Sequence, residues 1–139
     1  MINWTSFNLY TDVNVLATDY WFGEPVWADG AVNRYWARSP LSLVGNVQTP
    51  TALMVGEADY RTPRSEAEQF HRALMVRGIP TRLITVPEAS HTIAARPTGL
   101  AAKISAALQW FSEYGGPPVP NPDTGEQGAA APASANGEI

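Results

Sequence analysis

Cysteine is absent from this chain of 139 residues, and histidine occurs only twice. The absence of cysteine excludes disulfides, catalysis by a thiolate and metal sites built on thiolates, while it leaves the cellular compartment open. The two histidines, His71 and His91, fall on separate predicted elements and show no metal-ligand spacing. We therefore expect no metal site.

Clusters of basic residues and long apolar runs are also missing. The formal net charge is −4, with 9 Lys and Arg against 13 Asp and Glu, which provides no positive surface for nucleic acid or an anionic membrane. No apolar run is long enough for a membrane span, and the residues from Met1 to Trp4 lack the basic and apolar regions of a signal peptide. We expect a cytoplasmic protein with no nucleic-acid partner and no membrane partner.

A strand, helix and strand are predicted in the middle of the chain. The run from Thr51 to Gly56 is apolar without alternation, which is typical of a strand covered on both faces of a parallel sheet. The helix is predicted to begin at Pro63, with Thr62 as its N-cap, and to stop at Gly78. A second strand follows from Arg82 to Val86. These elements together predict an α/β protein.

The predicted helix has one apolar face and one ion pair. Ala67, Phe70 and Leu74 recur at helical spacing, so we expect them to pack on the sheet. Glu68 and Arg72 lie four positions apart, which predicts a salt bridge on the opposite side.

An acidic residue and a histidine follow the two predicted strands. Asp59 lies just beyond the first strand and His91 just beyond the second. Parallel strands joined through a helix end at the same edge of a sheet, and neighbouring strands are roughly 4.8 Å apart. A carboxylate could therefore reach an imidazole in the crevice where open α/β folds place their sites. An acid that precedes a histidine is also the downstream half of a Ser, Asp, His arrangement.

A series of short motifs extends along about residues 2 to 114. They are Thr49 to Pro63, Ala67 to Phe70, Arg77 to Thr81 and Glu88 to His91, with Asn3 and Trp4, Tyr20 to Gly23, Pro25 and Ser39 to Ser42 upstream, and Trp110 and Phe111 downstream. In order and spacing they resemble the C-terminal part of the prolyl oligopeptidase family of serine peptidases. Among its members they are most similar to the acylaminoacyl peptidases and dipeptidyl peptidases.

The resemblance implies a fold, an activity and two site residues. The fold would be the C-terminal portion of an α/β-hydrolase fold, a βαβα unit with parallel strands that lacks the N-terminal strands and the nucleophile elbow. Asp59 and His91 match the family's catalytic acid and base, although Thr92 stands where many members have glycine. The substrate would be a short peptide, cleaved by acyl transfer from a serine without any cofactor.

The serine itself is missing from the pattern. A nucleophile elbow requires Gly-x-Ser-x-Gly between a strand and a helix, and no two of the 11 glycines lie four positions apart. By the family likeness the serine belongs upstream of Met1, so we expect the chain alone to be inactive. Two parallel strands would also present a bare apolar edge, which predicts an unstable or self-associated polypeptide.

Two alternatives to a peptidase fragment stay open. The first is an esterase with the same fold, because an acid and a histidine alone do not distinguish amide from ester cleavage. The second is a non-catalytic remnant that acts only by association through its sheet edge and its aromatic N-terminal part. We assign no role to His71, and we leave Arg61 out of the site because arginines at helix edges usually form surface ion pairs of little energy.

The aromatic residues of the N-terminal part have two interpretations. Core and interface packing is the more common role of such rings, whereas the segment from Tyr20 to Trp27 could instead border a pocket for an apolar substrate side chain. Loops and short helices are predicted throughout this part, one of them from Asp29 to Ala37.

The C-terminal part contains one further helix and a tail. A helix is predicted from residue 97 to 114, with an apolar stripe that should pack on the sheet, formed by Leu100, Ile104, Ala107, Leu108 and Phe111. Residues 1–114 would then form the C-terminal part of a peptidase catalytic domain. Residues 115–139 are rich in Pro, Gly and Ala, and a segment of this composition is predicted to be disordered.

Overall fold

The computed structural model describes residues 20–116. In chain order the elements are α1 (Ala31–Ala37), a 3-10 helix (Pro40–Asn46), β1 (Thr51–Gly56), α2 (Arg64–Val76), β2 (Thr81–Val86), a 3-10 turn (Ile93–Ala95) and α3 (Pro97–Tyr114). The predicted disordered tail lies outside the described residues from position 117 onward, as do Trp4, Phe7 and Tyr10 of the aromatic N-terminal part.

The two strands form a parallel pair, as the sequence predicts. The register runs from Thr51 opposite Thr81 to Gly56 opposite Val86, so both strands end at the same edge. Helix α2 connects them and contacts both strands as well as the first 3-10 helix. The predicted βα-unit is therefore confirmed, and the carboxyl ends of β1 and β2 define one rim of the molecule.

Helix α2 differs from the sequence prediction at its start and on its faces. It begins at Arg64 with Pro63 as the N-cap, not Thr62, because Pro63 has an extended backbone (ψ 153°) and lacks an N–H. The buried face consists of Phe70 and Leu74, as predicted, together with Glu66; Ala67 is only partly buried.

The predicted ion pair of α2 is also wrong. Glu68 accepts a hydrogen bond from Arg64 at 2.7 Å, while the guanidinium of Arg72 lies against the sulfur of Met75. Both spacings, i−4 and i+4, bring charges together on a helix, and the arginine of the first turn is the one that Glu68 meets.

Helix α3 has the predicted bounds but packs through a different face. The predicted stripe is largely exposed, with 44%, 51%, 67% and 65% of Leu100, Ile104, Leu108 and Phe111 accessible to solvent. The residue that packs is Trp110, which is 8% exposed and lies beneath the guanidinium of Arg82 from β2. Of the stripe, Ala107 and Phe111 border an open pocket beside β1, which Trp110 and the small Ala106 also line.

A small second core lies in the N-terminal part of the described residues. Helix α1 buries Ala31 and Tyr35, and the ring of Tyr35 stacks on Phe22 with 3.9 Å between the centroids. Core packing is thus the role of Phe22 and Tyr35. Tyr20 and Trp27, by contrast, are 83% and 73% exposed, so they are not part of this core.

Within residues 20–116, none of the helices combines the length and the apolarity that crossing a membrane requires.

Candidate functional site

The two loops that follow β1 and β2 lie side by side at the rim. The last residues of the strands, Gly56 and Val86, are register partners. Beyond them the pairing continues for two residues, because the N–H of Glu57 donates to the carbonyl of Val86 at 3.0 Å and the N–H of Ala58 donates to that of Ala89 at 2.9 Å. These backbone bonds fix the loop after β1, which carries Asp59 and is called the acidic loop, against the loop after β2, which carries His91 and is called the histidine loop.

Glycine at position 56 permits this close approach. A Cβ atom on Gly56 would lie 2.2 Å from the carbonyl oxygen of Ala89 and 2.6 Å from that of Ser90. Both distances are far below van der Waals contact, and backbone atoms cannot move aside as a flexible side chain can. The absence of a side chain at Gly56 therefore brings the histidine loop over the end of β1.

Asp59 and His91 meet in the crevice between these loops. One carboxylate oxygen, Oδ2, lies 3.0 Å from Nδ1 of the imidazole. The side chain of Asp59 is only 5% exposed, whereas that of His91 is 46% exposed. The carboxylate thus lies beneath the ring, and the ring faces solvent.

Four donors surround the Asp59 carboxylate. The N–H groups of Arg61 and Thr62 donate to Oδ1, each at 2.9 Å, and the hydroxyl of Thr62 donates to Oδ2 at 2.9 Å beside the His91 ring. Burial by itself would raise the pKa of the carboxyl, but the hydrogen bonds from Thr62, His91 and Arg61 outweigh it, so the pKa lies below the usual value for aspartate. Asp59 is therefore ionised at neutral pH.

An ionised carboxylate beneath a histidine prepares the ring for proton transfer. A hydrogen bond to Asp59 Oδ2 favours the tautomer of His91 that carries its proton on Nδ1 and leaves Nε2 as the acceptor. The same carboxylate stabilises the imidazolium that forms when Nε2 takes a proton. The arrangement is that of a general base with an orienting acid.

The structure brings together the two residues that the sequence singles out and places His71 apart from them. His71 lies on α2 with its Nδ1 3.1 Å from the hydroxyl of Thr81, on a different element from the acidic loop. Sequence reasoning missed the contact of Thr62 with the site, since it treated this residue as a helix cap. Its place three residues after an aspartate in a turn was the signal that could have revealed it.

In the part of the chain that the structure describes, no three residues of the His, Cys, Asp and Glu types come together in a way that could hold a metal ion.

Known proteins share this segment. The model of the prolyl oligopeptidase family matches residues 1–117. An uncharacterized peptidase of Bacillus subtilis, YuxL, is 32% identical over 114 residues, which are 81% of this chain and 17% of that peptidase. An acylamino-acid-releasing enzyme of Arabidopsis thaliana is 30% identical over 83 residues, which are 60% of this chain and 11% of that enzyme.

A solved structure shares the fold. The acylaminoacyl peptidase of Pyrococcus horikoshii matches with a TM-score of 0.65 at 20% identity, over 81% of this chain and 19% of the other. The likeness shows the α/β-hydrolase fold, and the parallel pair with its helices is a portion of that fold. The chain therefore spans less than a fifth of the length of the proteins it matches.

Proposed function

The chain belongs to the prolyl oligopeptidase family, a family of serine peptidases, and on that premise we propose that it supplies the base and the orienting acid of a peptidase for short peptides. His91 is the base and Asp59 the acid. The observation that carries this proposal is the buried, ionised Asp59 carboxylate 3.0 Å from Nδ1 of the half-exposed His91 ring.

In this mechanism His91 moves the protons and Asp59 holds the ring. Nε2 of His91 accepts the proton of a serine hydroxyl as the oxygen attacks the peptide carbonyl, and Asp59 stabilises the imidazolium. Backbone N–H groups near the serine stabilise the oxyanion. His91 then donates the proton to the leaving amine, so that an acyl-enzyme forms, and water releases the acyl group with His91 again as base.

We propose that the nucleophile lies in a segment of the enzyme outside these 139 residues. The sequence contains no Gly-x-Ser-x-Gly pattern, and the matching region is only 17% of the Bacillus relative. We expect the 139-residue chain alone to be inactive. The term full-length enzyme denotes a polypeptide in which this chain follows a segment that carries the serine.

Replacement of each histidine tests the assignment. In the full-length enzyme, His91→Ala should lower the turnover of a peptide anilide by about 10⁴-fold or more. His71→Ala is the matched control and should leave turnover within about twofold, because His71 contacts Thr81 and lies outside the crevice. Equal losses in the two variants would contradict the proposal, as would robust turnover by the isolated chain.

The bond that is cleaved is tested separately. Peptide anilide and ester substrates that share the same acyl group, compared by kcat/KM in the full-length enzyme, distinguish a peptidase from an esterase. Hydrolysis of the ester without measurable hydrolysis of the anilide would replace the peptidase by the esterase alternative, because a peptidase also cleaves the more reactive ester. If no upstream segment carries a serine and the chain forms a stable dimer, the non-catalytic remnant is favoured.

Association is the second part of the proposal. β1 pairs only with β2 among the described residues, and beside it the exposed stripe of α3 presents Leu108 and Phe111. We expect the isolated chain to bind a second copy of itself across this face, since an unpaired strand edge next to apolar side chains is a template for pairing. Light scattering of the purified chain checks this, and a monomer at all concentrations would contradict it.

A further inference from the structure

Thr62 has a side chain that serves the site rather than the helix. Helix α2 begins at Arg64, and no side chain caps it. The Thr62 hydroxyl instead donates to Oδ2 of Asp59 at 2.9 Å, and its oxygen lies 3.4 Å from Nδ1 of His91. One hydroxyl therefore touches both members of the acid and base pair.

Thr62 is also the residue that donates to both oxygens of the carboxylate. Its backbone N–H donates to Oδ1 at 2.9 Å, beside the N–H of Arg61 at the same distance, and its hydroxyl donates to Oδ2. The terminal torsion of an aspartate is soft, so its angle is set by the donors around it. With donors from one residue on both oxygens, rotation of the Asp59 carboxylate breaks bonds at each end.

From this geometry we propose that Thr62 is a positioning residue whose hydroxyl holds Oδ2 of Asp59 opposite Nδ1 of His91. The inference rests on the proposed function, because positioning has a consequence for turnover only if His91 is the base. Its physical content is independent of turnover: without the hydroxyl, Oδ2 keeps the imidazole as a partner but loses the donor that fixes its direction. The His91 ring is then held less firmly in the tautomer that leaves Nε2 free to accept a proton.

The first test removes the hydroxyl and keeps the shape of the side chain. In the full-length enzyme, Thr62→Val should lower kcat for a peptide anilide about tenfold while KM changes little, because the Thr62 hydroxyl contacts the acid and the base. Thr62→Ser retains the hydroxyl and should stay within about threefold of the parent. Thr62→Ala removes the hydroxyl without adding a methyl group, so it controls for a steric clash in the valine variant. It should lower kcat by the same factor as Thr62→Val.

A matched threonine provides the control. The hydroxyl of Thr81 lies 3.1 Å from Nδ1 of the other histidine, His71, so the two threonines have the same type of contact. Thr81→Val should leave kcat unchanged. A loss of kcat with Thr81→Val as large as with Thr62→Val would show a general effect on folding and overturn the positioning role.

The second test observes the rings directly. Nitrogen NMR of the full-length enzyme with labelled imidazoles gives signals for every histidine, and the signals that disappear in His71→Ala and in His91→Ala assign the two rings of this chain. We expect the His91 ring of the parent to carry its proton on Nδ1, and Thr62→Val to increase the fraction with the proton on Nε2. The His71 ring should be unchanged by Thr62→Val and changed by Thr81→Val.

The two proposals fail in different ways. If Asp59→Asn and His91→Ala both abolish turnover while Thr62→Val leaves kcat and the His91 tautomer as in the parent, the positioning role is wrong and the proposed function stands. If Asp59→Asn and His91→Ala leave turnover intact, the proposed function is wrong. A loss with Thr62→Val that Thr62→Ser does not restore would also overturn the role of the hydroxyl.

Discussion

The rim at the carboxyl ends of β1 and β2 differs from the outer face of α3, which carries the exposed apolar stripe. The difference lies in how many of their contacts the described residues provide. At the rim, Asp59 is 5% exposed and every donor named for its carboxylate comes from within 32 positions along the chain. On the outer face, Leu108 and Phe111 are 67% and 65% exposed, although apolar side chains of this size are normally buried. The donors to the Asp59 carboxylate thus all lie among the described residues, whereas these residues leave the apolar stripe of α3 largely uncovered.

Site geometry and fold stability therefore depend on different parts of the molecule. The hydrogen bonds of the rim are short and local, so two loops and one βα-unit suffice to form them. Burial of the α3 stripe requires atoms that the described residues do not provide. Each variant below affects one of the two regions and should leave the other unchanged.

After removal of His91 itself, the largest expected effect comes from a side chain at Gly56. Gly56→Ala places a Cβ against the backbone carbonyls of Ala89 and Ser90, so the histidine loop has to move. We expect a destabilisation of about 3 kcal/mol and a loss of about a hundredfold in turnover, because a displacement near 1 Å misplaces the base. Thermal unfolding and kcat of the full-length enzyme measure the two effects.

Gly45→Ala is the control for this change. A Cβ on Gly45 meets no atom within 4 Å, and its backbone lies outside the left-handed region. The substitution should change stability by less than about 0.5 kcal/mol and leave turnover intact. If Gly56→Ala behaves like Gly45→Ala, the close contact of the two loops does not position His91.

Polar residues on the α3 stripe should weaken self-association. The double change Leu108→Gln and Phe111→Gln removes two large apolar side chains from the face that we propose to bind a second copy. The dissociation constant of the isolated chain should rise at least about tenfold, as measured by analytical ultracentrifugation. Val76→Gln, at a position on α2 that is 88% exposed, should have no effect; an equal effect would place the contact elsewhere.

The acid sensitivity of the rim should depend on Asp59. The pKa of this carboxyl is lowered in the folded protein, so its contribution to stability is complete above the unfolded value of about 4 and is lost as the pH falls through the folded value. Asp59→Asn should flatten the decrease in melting temperature below about pH 4. Asp29→Asn, at an exposed loop position, should show the same decrease in melting temperature as the parent. Identical curves of melting temperature against pH for all three proteins would exclude Asp59 as the source of the decrease.

The smallest effect is expected at Glu88 in the histidine loop. Its φ of 56° lies in the left-handed region that favours glycine, and its side chain is exposed, with a weak ion pair to Arg96 at 3.3 Å. Glu88→Gly should raise stability by about 0.5 kcal/mol without changing the site. Glu57→Gly, also in a turn but without positive φ, should lower it slightly; a gain there as well would show that backbone strain at Glu88 is not the cause.

The meeting of Asp59 with His91 could be predicted because it follows from topology. Any two parallel neighbouring strands end at one edge, so residues just beyond each end approach one another whatever the details of packing. The bounds of α3 and both strands were likewise accessible from composition and stop signals. The catalytic role of the pair, by contrast, stays a prediction that the experiments above test.

The face of α3 that packs and the partners on α2 could not be read from the sequence. Leu100, Ile104, Leu108 and Phe111 satisfy a helical period as well as any buried face does, yet Trp110 is the residue that meets β2. Periodicity identifies an apolar stripe without saying which surface covers it. Glu66 is fully buried on α2 although its charge predicts exposure.

The sequence by itself determined the order of strands and helices, the rim at which they end and the two side chains placed there. Local propensity and the geometry of parallel strands are enough for these features. Tertiary structure alone decided that Gly56 admits the histidine loop, that Thr62 turns from the helix to the carboxylate, and that the α3 stripe faces outward. Each of these depends on which atoms from distant positions come within contact distance, and no local pattern of residues encodes that.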